Sequence, residues 1–319
     1  MIYKVNILVI LIIISLSACA PSPLTSPLSF SKAGKKNIPS SPNKESSIRI
    51  FMQDDSDYAI TIDSIKSSFE SIGLSVVSEN NLNKLFSTHF KKLDYKIYYL
   101  SFFMNHSLSY KLLQKYPKFG LLTPLSMSIW VDKNNNMNIA TLSLSSMRKI
   151  AGIPKNDKDL IAYSQLIDKA LYTAMPDGEF KELPSAYNES HKLYTKEYTS
   201  ILKDSFPAFE SELESELDLA GYSIPYFLDI QENLFVRHDY EKYDYFHSYS
   251  ICELNSLYKE AKLHPQMGAW SPCSFYIYKS KENKNVVMGY IPVSMFNKKS
   301  KALTKSQGIL ENTLTQILK

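Results

Sequence analysis

An α+β fold written as two tandem repeats is predicted by three observations. Pro117, Gly120, Pro124 and Ser126 recur as Pro265, Gly268, Pro272 and Ser274, and 265 − 117 = 148 is the offset at all four positions. The flanks match at the same offset: Tyr110 and Lys111 with Tyr258 and Lys259, Ile129 with Ile277, Lys133 and Asn135 with Lys281 and Asn283, Ser146 and Met147 with Ser294 and Met295. Around each copy, alternating runs that signal strands interleave with apolar residues at spacings of three and four that signal helices. Several antiparallel strands with helices packed on one face make an α+β unit.

A chain of 319 residues suits two domains of roughly 100–200 residues each. The hydrophobic fraction of 44% and charged fraction of 21% are those of a globular protein. Net charge is +4 with lysines scattered along the chain, so no basic stripe marks a nucleic-acid surface. Tyrosine is abundant (22) and glycine scarce (9), and neither G-x-x-x-x-G-K-[ST] nor G-x-G-x-x-G occurs.

The start of the chain has a basic residue, Lys4, then the apolar run Ile7–Leu16, then Ser17-Ala18-Cys19. That order is a secretory signal, and the run is short of the ~20 residues of a membrane span. Leu16-Ser17-Ala18-Cys19 resembles the lipobox of bacterial lipoproteins. The resemblance implies a signal peptide over 1–18, cleavage before Cys19, and lipid attachment and acylation at that cysteine, with more than one acyl chain for stable anchoring. Ala20 in the next position resembles sorting to the outer membrane. Residues 19–45 are rich in Pro and Ser with no apolar period, a tether.

The first repeat spans 46–176. Ile48–Met52 is a strand, and Asp57–Ile72 a helix through Ile62, Ile65, Phe69 and Ile72, stopped by Gly73. Asp54-Asp55-Ser56-Asp57 is the acidic first turn of that helix. Leu74–Ser78 is a strand, Asn81–Phe90 a short helix or ordered loop, Tyr95–Met104 a buried aromatic strand, and Ser107–Tyr116 a helix with Ser107 as cap. After Pro117 a hairpin follows, with strands through Val131 and over Asn138–Leu144, then a long connection and a closing helix, Asp159–Met175. Residues 177–189 form a linker. In the second repeat, 190–319, Tyr194–Leu202 is the strand and Phe206–Ala220 the helix, with Phe209, Leu213 and Leu217 on one stripe and Gly221 as stop. Tyr245–Cys252, the helix Asn255–Leu263, the hairpin Ser274–Tyr278 with Val286–Pro292, and a closing helix led by Ser306-Gln307 complete it.

Cys252-Glu253-Leu254 at a strand end, a helix, then Pro265…Gly268…Pro272-Cys273 and a hairpin resemble domain-of-unknown-function family 302 over about 65–175 and 213–319. The resemblance implies a compact α+β domain grouped with TATA-binding-protein-like folds, a curved antiparallel sheet with helices on one face. It implies no activity, because the family has no established one. The first repeat has Met104 and Leu125 where the second has Cys252 and Cys273.

Those two cysteines appear together in one repeat and are absent together from the other. Outside the cytoplasm a proximal pair oxidises, and closing so short a loop adds about 3 kcal/mol in the chain-entropy model. The alternatives are two buried thiols or a redox or ligand-binding pair, although no C-x-x-C is present. His247 and His264 with the two cysteines match no compact zinc pattern, so no metal or cofactor is expected. The carboxylates of Glu210–Asp218 are the solvated face of a helix. The duplicated proline–glycine signature is a structural corner, and most of the tyrosines are core, with some at a groove between the repeats.

These observations imply a lipid-anchored envelope lipoprotein, held at the outer membrane and facing the periplasm. Its expected role is a non-enzymatic binding or assembly module, with the membrane and an envelope protein as partners and no defined small-molecule ligand. The alternative is a periplasmic small-ligand or thiol-redox protein centred on Cys252 and Cys273.

Overall fold

The computed structural model describes residues 46–91, 93–181, 195–202, 204–270, 274–292 and 300–317. Two antiparallel sheets carry the fold. The first contains β1 (Ile48–Asp54), β2 (Ser75–Asn81), β3 (Ile97–Met104), β4 (Leu125–Val131), β5 (Asn136–Leu142) and β6 (Glu179–Phe180), in the order β2-β3-β4-β5-β1-β6. The second contains β7 (Lys196–Ser200), β8 (Tyr222–Asp229), β9 (Tyr243–Glu253), β10 (Phe275–Ser280) and β11 (Val286–Tyr290), in the order β7-β11-β10-β9-β8. Read from the other edge, the second order is β8-β9-β10-β11-β7, which is β2-β3-β4-β5-β1 with each strand replaced by its counterpart. The sequence repeat is therefore a repeat of topology, and β6 is an addition to the first sheet within the segment expected as linker. The rest of that linker, from 182 on, lies outside the described residues.

Among the described residues, five helices accompany the first sheet: α1 (Ile62–Ser71), α2 (Leu82–His89), α3 (His106–Lys115), α4 (Leu144–Ala151) and α5 (Lys158–Ala174). Three accompany the second: α6 (Phe206–Leu219), α7 (Leu254–Ala261) and α8 (Lys301–Ile317). The start of α1 differs from the sequence expectation. Asp54 accepts from the Ser56 backbone N–H, Asp57 from Ala59 and Asp55 from Ile60. Local side-chain bonds of this kind hold the chain out of helix, so the acidic run is a loop. Thr61 and Ser64 form a reciprocal capping box instead. The end agrees: Gly73 sits at φ +86, and the Leu74 and Gly73 N–H groups bond Phe69 and Glu70 carbonyls, a Schellman closure.

Other boundaries move for similar reasons. Asn105, not Ser107, caps α3, accepting from the Leu108 N–H at 2.8 Å. The long connection of the first repeat holds α4, capped by Ser143 and ended by Gly152 at φ +65. In the second repeat α8 starts at Lys301, so Ser306 lies within the helix, where its hydroxyl meets the Tyr222 hydroxyl at 2.8 Å. Strand β8 and the turns after it have no counterpart in the sequence reading. The stripe Phe209, Leu213, Leu217 is the buried face of α6.

Each sheet is covered on both faces. In the first, register pairs Tyr98 with Trp130, Leu100 with Ser128 and Phe102 with Ser126, so these six share one face. The other face, with Arg49, Phe51, Met127 and Ile139, meets α5 through Arg49 and Asp168. Helices cover that face. What covers the first is the site described next.

Candidate functional site

The duplicated signature forms the joint between the halves. Pro117 opens a 3-10 turn, Pro117–Leu122, that ends α3 and leads into β4, and the Thr123–Pro124 bond is cis. Pro265 opens the equivalent turn, Pro265–Trp270, after α7. Pro272 and Cys273 lie outside the described residues. The turn of each half rests on the sheet of the other. A Cβ placed on Gly268 would stand 2.4 Å from Ser128 Oγ and 3.1 Å from Leu100 Cδ1, both in the first sheet. One placed on Gly120 would stand 2.9 Å from Phe246 Cε2 and 3.3 Å from Tyr276 Cβ, both in the second. Ordinary side chains do not fit at such approaches, which is why each turn has glycine there.

The exchange is reciprocal in the strict sense of a two-fold contact. Adding 148 to Leu100 and Ser128 gives Ser248 and Tyr276, and subtracting it from Gly268 gives Gly120. The Ser248 hydroxyl donates to the Gly120 carbonyl at 2.8 Å, and the Tyr98 hydroxyl donates to the Pro265 carbonyl at 3.0 Å. Tyr258 of α7 stacks on Phe90 at 4.6 Å, while Tyr110 of α3 stacks on His238 at 4.0 Å, and 90 + 148 = 238. Lys118 pairs with Glu197 across the joint at 2.7 Å, and Glu197 also accepts from the buried Tyr276 hydroxyl. Tyr98 and Tyr276 are fully buried here. These two rings are core of the joint, as expected for most of the tyrosines.

Cys252 lies at the end of β9 on the face that carries Ser248 and Ser250, and it is 3% exposed. No disulfide is described among the residues the structure covers, and Cys273 lies outside them. His247 is on the opposite face of β9, so it and Cys252 cannot share a metal. Among the described residues no group of His, Cys, Asp and Glu is arranged to hold one. Cys19 also lies outside the described residues.

The outer face of the second sheet carries a cluster that sequence reasoning missed. His247 is 8% exposed. Its Nδ1 meets Glu210 Oε1 of α6 at 2.6 Å, and its Nε2 faces Asp229 Oδ2 at the end of β8 at 3.4 Å. The Tyr249 hydroxyl donates to the same Glu210 oxygen. Phe206 and Phe227 stand edge-on to the imidazole, each at 5.0 Å. Burial opposes charge on His247, yet the hydrogen bonds to Asp229 and Glu210 outweigh it and hold the imidazole above its ordinary range. Burial likewise raises Asp229, but bonds from His247 and the Glu232 N–H bring it below the usual carboxylate value. Tyr249 is pushed up by burial and by Glu210. Glu210 is thus not part of a solvated face, although Glu212, Glu214 and Asp218 are exposed. The signal was available in the repeat: at offset 148 the positions of Glu210, Asp229, His247 and Tyr249 hold Ile62, Asn81, Tyr99 and Ser101. The first half keeps only a neutral version, Asn81 Nδ2 donating to the Tyr99 hydroxyl at 2.9 Å.

Comparison with known proteins bears on the first half. No curated protein matches the chain. Among solved structures, a match is the crystal structure of uncharacterized conserved protein DUF302 from Bacillus stearothermophilus, 17% identical, covering 38% of this chain and 94% of that one, with a TM-score of 0.31. Residues 52–174 match the family model described as domain of unknown function DUF302, so the first half contains a DUF302 domain.

Proposed function

We propose that the protein is a lipid-anchored envelope lipoprotein whose two interlocked halves, both of the DUF302 type, serve as a non-enzymatic binding or assembly module. The observation that carries the anchoring is Leu16-Ser17-Ala18-Cys19 behind an apolar run, followed by a Pro/Ser tether. No helix among the described residues is long and apolar enough to cross a membrane. Support for a module comes from the joint. The duplicated signature holds the halves together, which leaves their outer faces as working surface. Both halves being of one type is supported by the shared strand order and the 148-residue offset.

The test is fractionation with intact mass. Wild-type protein extracted from membranes is expected to begin at Cys19 and carry diacylglycerol and an acyl chain, and Cys19→Ala is expected in the soluble fraction. Wild-type protein that keeps residues 1–18, or lacks lipid, overturns the anchoring. The module part is tested by photo-crosslinking from the exposed Phe227 in intact cells, where one discrete envelope adduct is expected and its absence counts against the reading.

A structural bond between Cys252 and Cys273 belongs to the same proposal. What favours it is that Cys252 lies in β9 and that Cys273 stands two residues before the start of β10 in the sequence, β10 being the strand paired with β9. Thiol titration of the denatured, unreduced protein is expected to find none at these two positions. The thiol-redox alternative is less favoured, because exchange needs an accessible thiolate and Cys252 is buried.

A further inference from the structure

The buried histidine of the second sheet joins three elements through its two ring nitrogens. Glu210 comes from α6, Asp229 from the end of β8, and His247 from β9 between them. A neutral imidazole has one N–H and one bare nitrogen. Both ring nitrogens here face carboxylates, so only the imidazolium satisfies both. Asp229 has a second duty. It accepts from the Glu232 N–H at 2.9 Å, and its carbonyl accepts from Asn233 Nδ2 at 2.8 Å. It thereby starts the π-helical turn Gln231–Phe235, which runs on into the 3-10 turn Val236–His238. Turns of the π type are rare and recur at functional sites. This one ends on the first half: Phe235 and His238 both contact Tyr110 of α3, at 6.0 and 4.0 Å.

We propose that His247 is a proton-operated latch, holding α6 and the turn 231–238 in place as the imidazolium and releasing both when it loses its proton. The groups facing it are Glu210 from α6, Asp229 from β8, and Tyr245 and Tyr249 from its own strand, with Glu214 acting on Tyr249. β10 presents Ile277 opposite it. The imidazole is held above its ordinary value of 6.5 in the folded state. Its contribution to stability is therefore full below 6.5 and is lost as pH rises through the folded value. Asp229, held below 3.8, contributes above 3.8 and loses that contribution as pH falls through its folded value. The latch is closed between these limits and opens on the alkaline side. One nearby group has the opposite sign. His106 of α3 is lowered by burial and by Arg237 of the turn, so its contribution is full above 6.5 and falls on acidification.

Hydrogen exchange of the full chain, corrected for intrinsic rates, tests the latch at pH 6 and pH 9. Protection of peptides covering 206–219 and 231–238 is expected to fall about tenfold or more on going to pH 9, the factor that loss of one charge-assisted hydrogen bond carries. Helix α1, the counterpart of α6 without a histidine beneath it, is expected to keep its protection. In His247→Gln both segments are expected to be weakly protected at either pH, and His106→Gln is expected to keep the wild-type alkaline loss. An independent readout is the NMR titration of the His247 ring, whose midpoint is expected above 6.5 in wild type and to fall in Glu210→Gln. Equal pH profiles for wild type and His247→Gln, a matching loss in α1, or a ring midpoint unmoved by Glu210→Gln each overturns the proposal.

Discussion

Gly120→Ala is expected to weaken the joint between the halves more than Gly268→Ala, although the second has the closer contact. At position 268 the new methyl meets Ser128 Oγ at 2.4 Å. That oxygen and Leu100 Cδ1 at 3.1 Å are both ends of rotatable side chains, and small rotations move them away. At position 120 the methyl meets the Phe246 ring at 2.9 and 3.0 Å and Tyr276 Cβ at 3.3 Å. Phe246 is fully buried and itself packs on Tyr276 and Tyr278, so it has no empty rotamer to take. Overpacking of this kind costs about 1–3 kcal/mol. Gly120 has a backbone any residue adopts, so alanine recovers about 0.4–1 kcal/mol of chain entropy, which is too little to offset the clash. Urea unfolding is expected to show one cooperative transition for wild type and two for Gly120→Ala. The double change Gly268→Ala with Ser128→Ala is expected to restore most of what Gly268→Ala loses. A single unshifted transition in Gly120→Ala would show that the turn does not lock the halves.

The repeat was legible because both copies bury the same faces and so keep the same apolar spacing. The α6 stripe and the glycine stops of α1 and α6 follow directly from it. The interlock was not legible, since an internal repeat states that two units are alike and says nothing of which surface of one meets the other. Gly120 and Gly268 read equally well as glycines of a corner. Only the placement of Phe246 and Leu100 beneath them shows a close approach between halves. Strand β8 was hidden by Pro225 and by its half-exposed pattern, which blur the alternation that marks a strand. The acidic run before α1 failed for a local reason: Asp side chains that bond the next backbone N–H groups compete with helix, and Thr61 with Ser64 wins the cap. His247 was hidden by its neighbours. A lone histidine on an aromatic strand resembles core, and its partners come from positions 37 residues upstream and on the adjoining strand. Aligning the halves at offset 148 would have exposed it as ionisable groups against neutral ones.

The largest single-site loss is expected from Asp168→Ala. Arg49 sits on β1 facing the helices and is 6% exposed. Its Nη1 donates to Asp168 of α5, and its guanidinium lies over the Phe180 ring at 5.5 Å. Among the described residues Nε and Nη2 have no hydrogen-bond partner. Arginine cannot shed its charge at working pH, so removing Asp168 leaves a buried cation uncompensated, at a cost of about 3–5 kcal/mol. The reverse change, Arg49→Met, is milder, because the carboxyl left behind can take a proton. Burial already raises Asp168 above its ordinary value even with Arg49 pulling it down. A raised carboxyl favours the fold at low pH and loses that contribution as pH rises through its folded value. Arg49→Met is therefore expected to lose stability with rising pH more steeply than wild type, while Asp168→Ala stays destabilised throughout. Replacing both, Arg49→Met with Asp168→Leu, is expected to be near neutral or stabilising, since a buried ion pair rarely exceeds a packed apolar pair in net value. Urea midpoints of the four proteins at pH 5 and pH 8 decide it. A double variant as unstable as Asp168→Ala would mean that the loss came from a damaged α5 surface, not from a stranded charge.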